Sequence, residues 1–109
     1  GNNFLTKDGS SERDYIRVMD ITLIIKNTLS YLYKNKINLI LNCGTGTEVS
    51  IFKIINCAKK KIKNFALKIK YYKKKITDPA SVRSNNKLLL KLGLIKRFRK
   101  INKIITSYL

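Results

Sequence analysis

Ile37-Asn38-Leu39-Ile40-Leu41 is the segment that most constrains the fold. It is apolar at four of its five positions, too short and too continuous for an amphipathic helix. The pattern predicts a strand buried on both faces, as in a parallel sheet. Such a strand needs a neighbour on each side, and the other segments of the 109 residues offer few. The expectation is an α/β protein with part of its sheet outside this chain, in keeping with a first residue that is Gly rather than Met.

The flanking segments fill in the order of elements. Tyr15, Ile16 and Val18 read as a short strand or extended entry. Asp20 suits an N-cap, and Ile21, Ile24, Ile25, Thr28, Leu29 and Leu32 recur at helical spacing, which predicts a helix over 20–33 with a turn at Asn35. Asn42-Cys43-Gly44-Thr45-Gly46 is a glycine-bearing turn. Its glycines suit a phosphate cradle less well than a plain turn, because no G-x-G-x-x-G is present. Ser50 then caps a helix over 50–63 with Ile51, Ile54, Ile55, Ala58 and Ile62 on one face. Lys59, Lys60, Lys61 and Lys63 sit where the helix dipole favours cations. Leu67, Ile69 and Tyr71 alternate with lysines as a one-sided strand does, and a loop over 73–82 holds the only proline, Pro79. Helices over 85–92, stopped by Gly93, and over 99–108 complete the chain.

Composition excludes several classes. The length allows one domain. No His is present, so an imidazole base or a His-ligated metal is excluded. No apolar run nears the ~20 residues that span a bilayer, and no signal segment opens the chain, so the expectation is a cytoplasmic protein without a membrane partner. The 24 Lys+Arg against 6 Asp+Glu give a net charge of +18. Lys, Ile and Asn, which share A/T-rich codons, dominate the composition and supply a bland source for that charge. Lys73-Lys74-Lys75 beside Tyr71 and Tyr72 could stack and neutralise a single strand, but no recognition motif accompanies them, and no specific nucleic-acid partner is expected. Cys43 and Cys57 lack the spacing of a metal site; free thiols are expected, with a disulfide left open.

Three motifs follow in order: Arg13-Asp14-Tyr15-Ile16-Arg17-Val18-Met19-Asp20 after Asp8-Gly9; Asn42-Cys43-Gly44-Thr45-Gly46 before Ser50-Ile51-Phe52-Lys53-Ile54-Ile55; and Asp78-Pro79-Ala80-Ser81 before Lys87 and Leu92-Gly93. Together they resemble the C-terminal third of the UDP-glucose 4-epimerase family, extended short-chain dehydrogenase/reductases of the NAD-dependent epimerase/dehydratase group. The resemblance implies that residues 1–109 are the UDP-sugar-binding portion of such an isomerase of galactose metabolism. Residues 1–18 and 64–109 would form the small substrate domain, and 20–63 would pack back on a nucleotide-binding domain.

By the same resemblance Arg13 holds the pyrophosphate and Asp78 the ribose of a UDP-sugar. Lys75 stands where the family has a second Arg, so charge is kept and the two-pronged fork is lost. Thr77, Arg17 and Leu94 replace the family's Gly, His and Trp. NAD would be held by an N-terminal domain absent from this chain, and the full-length protein could be a homodimer. The glycine fingerprint for NAD and the Tyr-x-x-x-Lys pair are missing here, so this chain alone is expected to be inactive. Two rival readings stand beside it: a basic nucleic-acid-binding module, motivated by the charge, and a decayed remnant, motivated by Lys75, Thr77 and Arg17.

Overall fold

The computed structural model describes residues 10–62, 68–70 and 78–108. In order, these residues form β1 (Glu12–Arg13), α1 (Val18–Asn35), β2 (Val49–Ser50), α2 (Ile51–Lys61), α3 (Lys87–Lys91) and α4 (Ile101–Tyr108). The result is a mixed helical structure with a small two-stranded sheet, in which β1 and β2 pair antiparallel with Glu12 opposite Ser50 and Arg13 opposite Val49. Ser81 adds a single parallel bridge on the other side of Glu12.

The core forms where α1 meets α3 and the segment that follows it. Ile24, Leu89, Leu94 and Ile95 are buried together, with Ile16, Tyr31, Leu41, Leu92 and Phe98 packed around them. Asn27 Nδ2 donates to the Leu94 carbonyl at 2.8 Å, which fixes α1 along this seam. The end of α3 explains how Leu89 and Leu94 come to share the cluster. Gly93 takes φ +66°, its N–H donates to the Leu90 carbonyl, and the Leu94 N–H reaches back to the Leu89 carbonyl. That is a Schellman closure with its usual apolar contact across the stop.

The α2 region follows its local signals. Ser50 is the N-cap, and its side chain accepts from the Lys53 N–H at 3.2 Å. The basic last turn, Lys59 to Lys61, lies at the negative end of the helix dipole. On its other side α2 packs against α4.

Several expectations are corrected. The helix predicted over 20–33 begins earlier and ends later, at Val18 and Asn35. Its N-cap is Arg17, which makes no side-chain cap bond; Asp20 lies in the first turn, where it is buried and accepts from Arg17 Nη2 at 3.0 Å. A carboxylate in the first turn still meets the positive end of the helix dipole, so the residue type was apt although its position was misjudged. The extended entry pairs at Glu12–Arg13 rather than at Tyr15 to Val18.

The strand expected at 37–41 does not form: these residues belong to no ladder, and Ile40 is 93% exposed. Its apolar residues divide instead: Leu39 and Leu41 are half-buried, Leu41 against the core cluster, while Ile37 and Ile40 are exposed. Of the strand expected around Leu67, Ile69 and Tyr71, only 68–70 are described and they hold no regular structure. The helix predicted over 85–92 contracts to α3, and that over 99–108 to α4.

Candidate functional site

Glu12 lies at the centre of three adjoining segments. On one side its neighbour β2 pairs with β1; on the other, the Glu12 N–H donates to the Ala80 carbonyl at 2.7 Å and the Val82 N–H donates to the Glu12 carbonyl at 3.1 Å. Arg13 and Asp78 are thereby borne on neighbouring segments, although 65 positions separate them in sequence. Arg13 is half-buried and its Nη1 donates to the Glu12 carbonyl at 2.7 Å. Asp78 is exposed. Lys75 lies outside the described residues, as do Thr77, Tyr71, Tyr72 and the Lys73-Lys74 run.

The residue beside Arg13 organises the region. Asp14 Oδ1 accepts from the Thr45 N–H at 2.9 Å and the Thr45 hydroxyl at 2.5 Å. Asp14 Oδ2 accepts from the Gly46 N–H at 2.8 Å and the Ser84 N–H at 3.1 Å. One carboxylate therefore joins the 42–46 turn, the 84–86 segment and the end of β1. Partial burial pushes its pKa up. The Thr45 hydroxyl and the backbone N–H groups of Ser84, Thr45 and Gly46 outweigh that effect and hold Asp14 below its ordinary 3.8. Two further bonds stitch the same loops: Asn86 Nδ2 to the Gly44 carbonyl at 3.1 Å and Asn42 Nδ2 to the Asn85 carbonyl at 3.4 Å.

The glycines of the turn serve this junction. A Cβ on Gly44 would stand 2.3 Å from Ser84 Cβ and 2.9 Å from Asp14 Oδ2, so only a residue without a side chain lets the segments meet. Gly46 takes φ +76°, a left-handed conformation that favours glycine. Its N–H and that of Thr45 form the anion-binding concavity that the glycines suggested, and the anion in it is Asp14. The turn therefore does not fit the pyrophosphate of a dinucleotide, since two of its N–H donors are already engaged by a carboxylate. The described residues show no other glycine-rich turn that could hold NAD.

Sequence adjacency offers an Arg13–Asp14 surface ion pair as the plain alternative to a substrate role for Arg13. Among the described residues the ion pairs instead join Arg17 to Asp20 at 3.0 Å and Arg83 to Glu48 at 3.7 Å. Cys43 and Cys57 are both free thiols. No group of three metal-binding side chains occurs among the described residues, and no described helix is long and apolar enough to cross a membrane.

A cavity of about 910 Å³ adjoins this junction at Thr45, Thr47 and Val49 and extends between α2 and the entry to α4. Lys60, Lys61, Arg99 and Lys100 border it, together with Tyr15 and Phe98, whereas Arg13 and Asp78 do not.

No family model matches the chain. It is 29% identical over 86 residues to the UDP-glucose 4-epimerase of Rhizobium leguminosarum bv. trifolii, covering 79% of this chain and 26% of that protein. The UDP-glucose 4-epimerase of Rhizobium meliloti (strain 1021) gives the same identity and the same coverage. UDP-glucose 4-epimerase 4 of Oryza sativa subsp. japonica is 38% identical over 61 residues, 55% of this chain and 16% of its own length. The chain thus spans about a quarter of the bacterial relatives it matches. Its likeness to these epimerases is partial and low in identity.

Proposed function

We propose that this chain is the C-terminal, UDP-sugar-binding portion of a UDP-glucose 4-epimerase, an extended short-chain dehydrogenase/reductase that interconverts UDP-glucose and UDP-galactose. The observation that carries the proposal is the junction at Asp14 and Glu12. It draws the three motifs of the resemblance, far apart in sequence, to one place. The partial likeness to the epimerases supports the same reading.

In this reading Arg13 grips the pyrophosphate. A guanidinium presents parallel N–H donors to two phosphate oxygens at once, and each charged hydrogen bond contributes about 1.5–3 kcal/mol. Asp78 accepts from the ribose hydroxyls, and Lys75 supplies a second positive charge. Asp14 positions them by holding the segments in register. The hydride chemistry belongs to NAD bound by a region outside these 109 residues, so the chain contributes substrate binding and no turnover of its own.

The outer face of α1 gives the proposal its domain arrangement. Ile24, Asn27 and Tyr31 face the core, while Val18, Ile25, Leu29 and Tyr33 form an exposed apolar stripe on the opposite side. A helix apolar on two sides suits a position between two bodies. The outer stripe would pack on the nucleotide-binding domain.

Calorimetry with UDP tests the site. The expected result is weak binding that Arg13→Ala abolishes and Asp78→Asn weakens about tenfold, the loss of one charged hydrogen bond. Equal affinity in all three proteins would remove the site. Retained UDP binding with no preference for glucose or galactose conjugates would favour another nucleotide-sugar epimerase or dehydratase of the same group.

A further inference from the structure

Among the described residues, neither Arg13 nor Asp78 borders the cleft between α2 and α4. Its cations come from two distant parts of the chain: Lys53, Lys60 and Lys61 from α2, Arg99 and Lys100 from the segment entering α4. All five are exposed, and no carboxylate lines the space among the described residues. Two aromatic side chains, Tyr15 and Phe98, share the wall.

Helix electrostatics accounts for only part of this grouping. Lys60 and Lys61 lie in the last turn of α2, where the dipole favours them. Arg99 and Lys100 precede the first turn of α4, where the dipole disfavours cations and no acidic residue compensates. The fold therefore brings like charges together at a place where they repel one another and oppose a helix end. An anion in the cleft relieves both effects.

The shape of the charge selects the kind of anion. Lys53 and Lys60 are seven residues apart on one helix, about 10 Å at 1.5 Å per residue, so the cations are spread along the wall of the cleft rather than gathered at one point. Four of the five cations are lysines, point charges suited to following a phosphate backbone without reading bases. Tyr15 is 37% exposed and offers part of its ring for stacking. We propose that this cleft binds single-stranded nucleic acid without sequence preference, with phosphates along Lys60, Lys61, Arg99 and Lys100 and a base on Tyr15.

Fluorescence anisotropy of the full chain with a labelled ten-nucleotide oligothymidylate tests it, circular dichroism confirming that each variant is folded. Neutralising about three to five phosphates predicts a slope of log K against log salt of about −2 to −3.5. The double variant Lys61→Glu/Arg99→Glu should weaken binding at least tenfold more than Lys26→Glu/Lys34→Glu, which changes net charge equally on α1. Tyr15→Ala should weaken it fivefold or more, and Tyr15→Phe should restore it. Equal losses for the two double variants would reduce the effect to net charge and overturn the proposal. So would displacement by inorganic tripolyphosphate at equal phosphate concentration with Tyr15→Ala silent, since the cleft would then be a site for small phosphates.

Discussion

Asp14 accepts four hydrogen bonds from three residues, so its removal is the most damaging single change in the region. Asp14→Ala leaves the Thr45, Gly46 and Ser84 donors without their partner, and a loss of roughly 2–4 kcal/mol is expected in urea unfolding. The lowered pKa fixes the sign of the pH dependence. A carboxyl that is more acidic folded than unfolded contributes stability that is present above the ordinary value of 3.8 and is lost as pH falls through the folded value. Asp14→Asn should remove that part of the acid dependence and lower stability near neutrality. Gly44 and Gly93 offer a paired test. Gly44→Ala meets Ser84 and Asp14 and should cost about 1–3 kcal/mol, partly recovered by Ser84→Gly. Gly93→Ala meets no atom within 4 Å and should cost only the ~1–2 kcal/mol of a left-handed alanine.

At the scale of elements, legibility followed locality. The Ser50 cap, the apolar spacing of α2 and the Gly93 stop are signals written within a few residues, and the structure bears them out. Asp20 was misread because a cap and a first-turn carboxylate look alike without knowing that Arg17 captures the side chain. The 37–41 segment was misread for a different reason. Its pattern reports apolarity but not whether a strand is there to pair with, and 37–41 joins no ladder although Leu41 packs on the core cluster. Asp14 carried no local signal at all, since its partners lie 31 to 70 residues away. Lys36 adds a prediction at this scale. It closes α1 at φ +49°, where glycine is normally preferred, so Lys36→Gly should stabilise the chain by about 0.5–1 kcal/mol in thermal melts.

The whole molecule is a slab of 51 × 36 × 16 Å, with a radius of gyration of 17.0 Å. A compact chain of this length would have ~13 Å. Among the described residues so thin a body buries a small apolar cluster and leaves the outer stripe of α1 and Ile40 in water. The chain alone should self-associate, and Ile25→Glu/Leu29→Lys should suppress that in light scattering without lowering the melting temperature. A monomeric wild type that melts cooperatively above about 50 °C would speak against the proposed packing of α1 on a nucleotide-binding domain.

The span between Asp14 and Ser84 has a kinetic consequence. A bond that fastens positions 70 residues apart acts as a clasp on a large loop, and closing that loop carries an entropic cost that no local element can offset beforehand. Helices should therefore precede the clasp during refolding. Asp14→Asn would then hasten opening while leaving the rate of refolding nearly unchanged, a separation that stopped-flow chevrons can read.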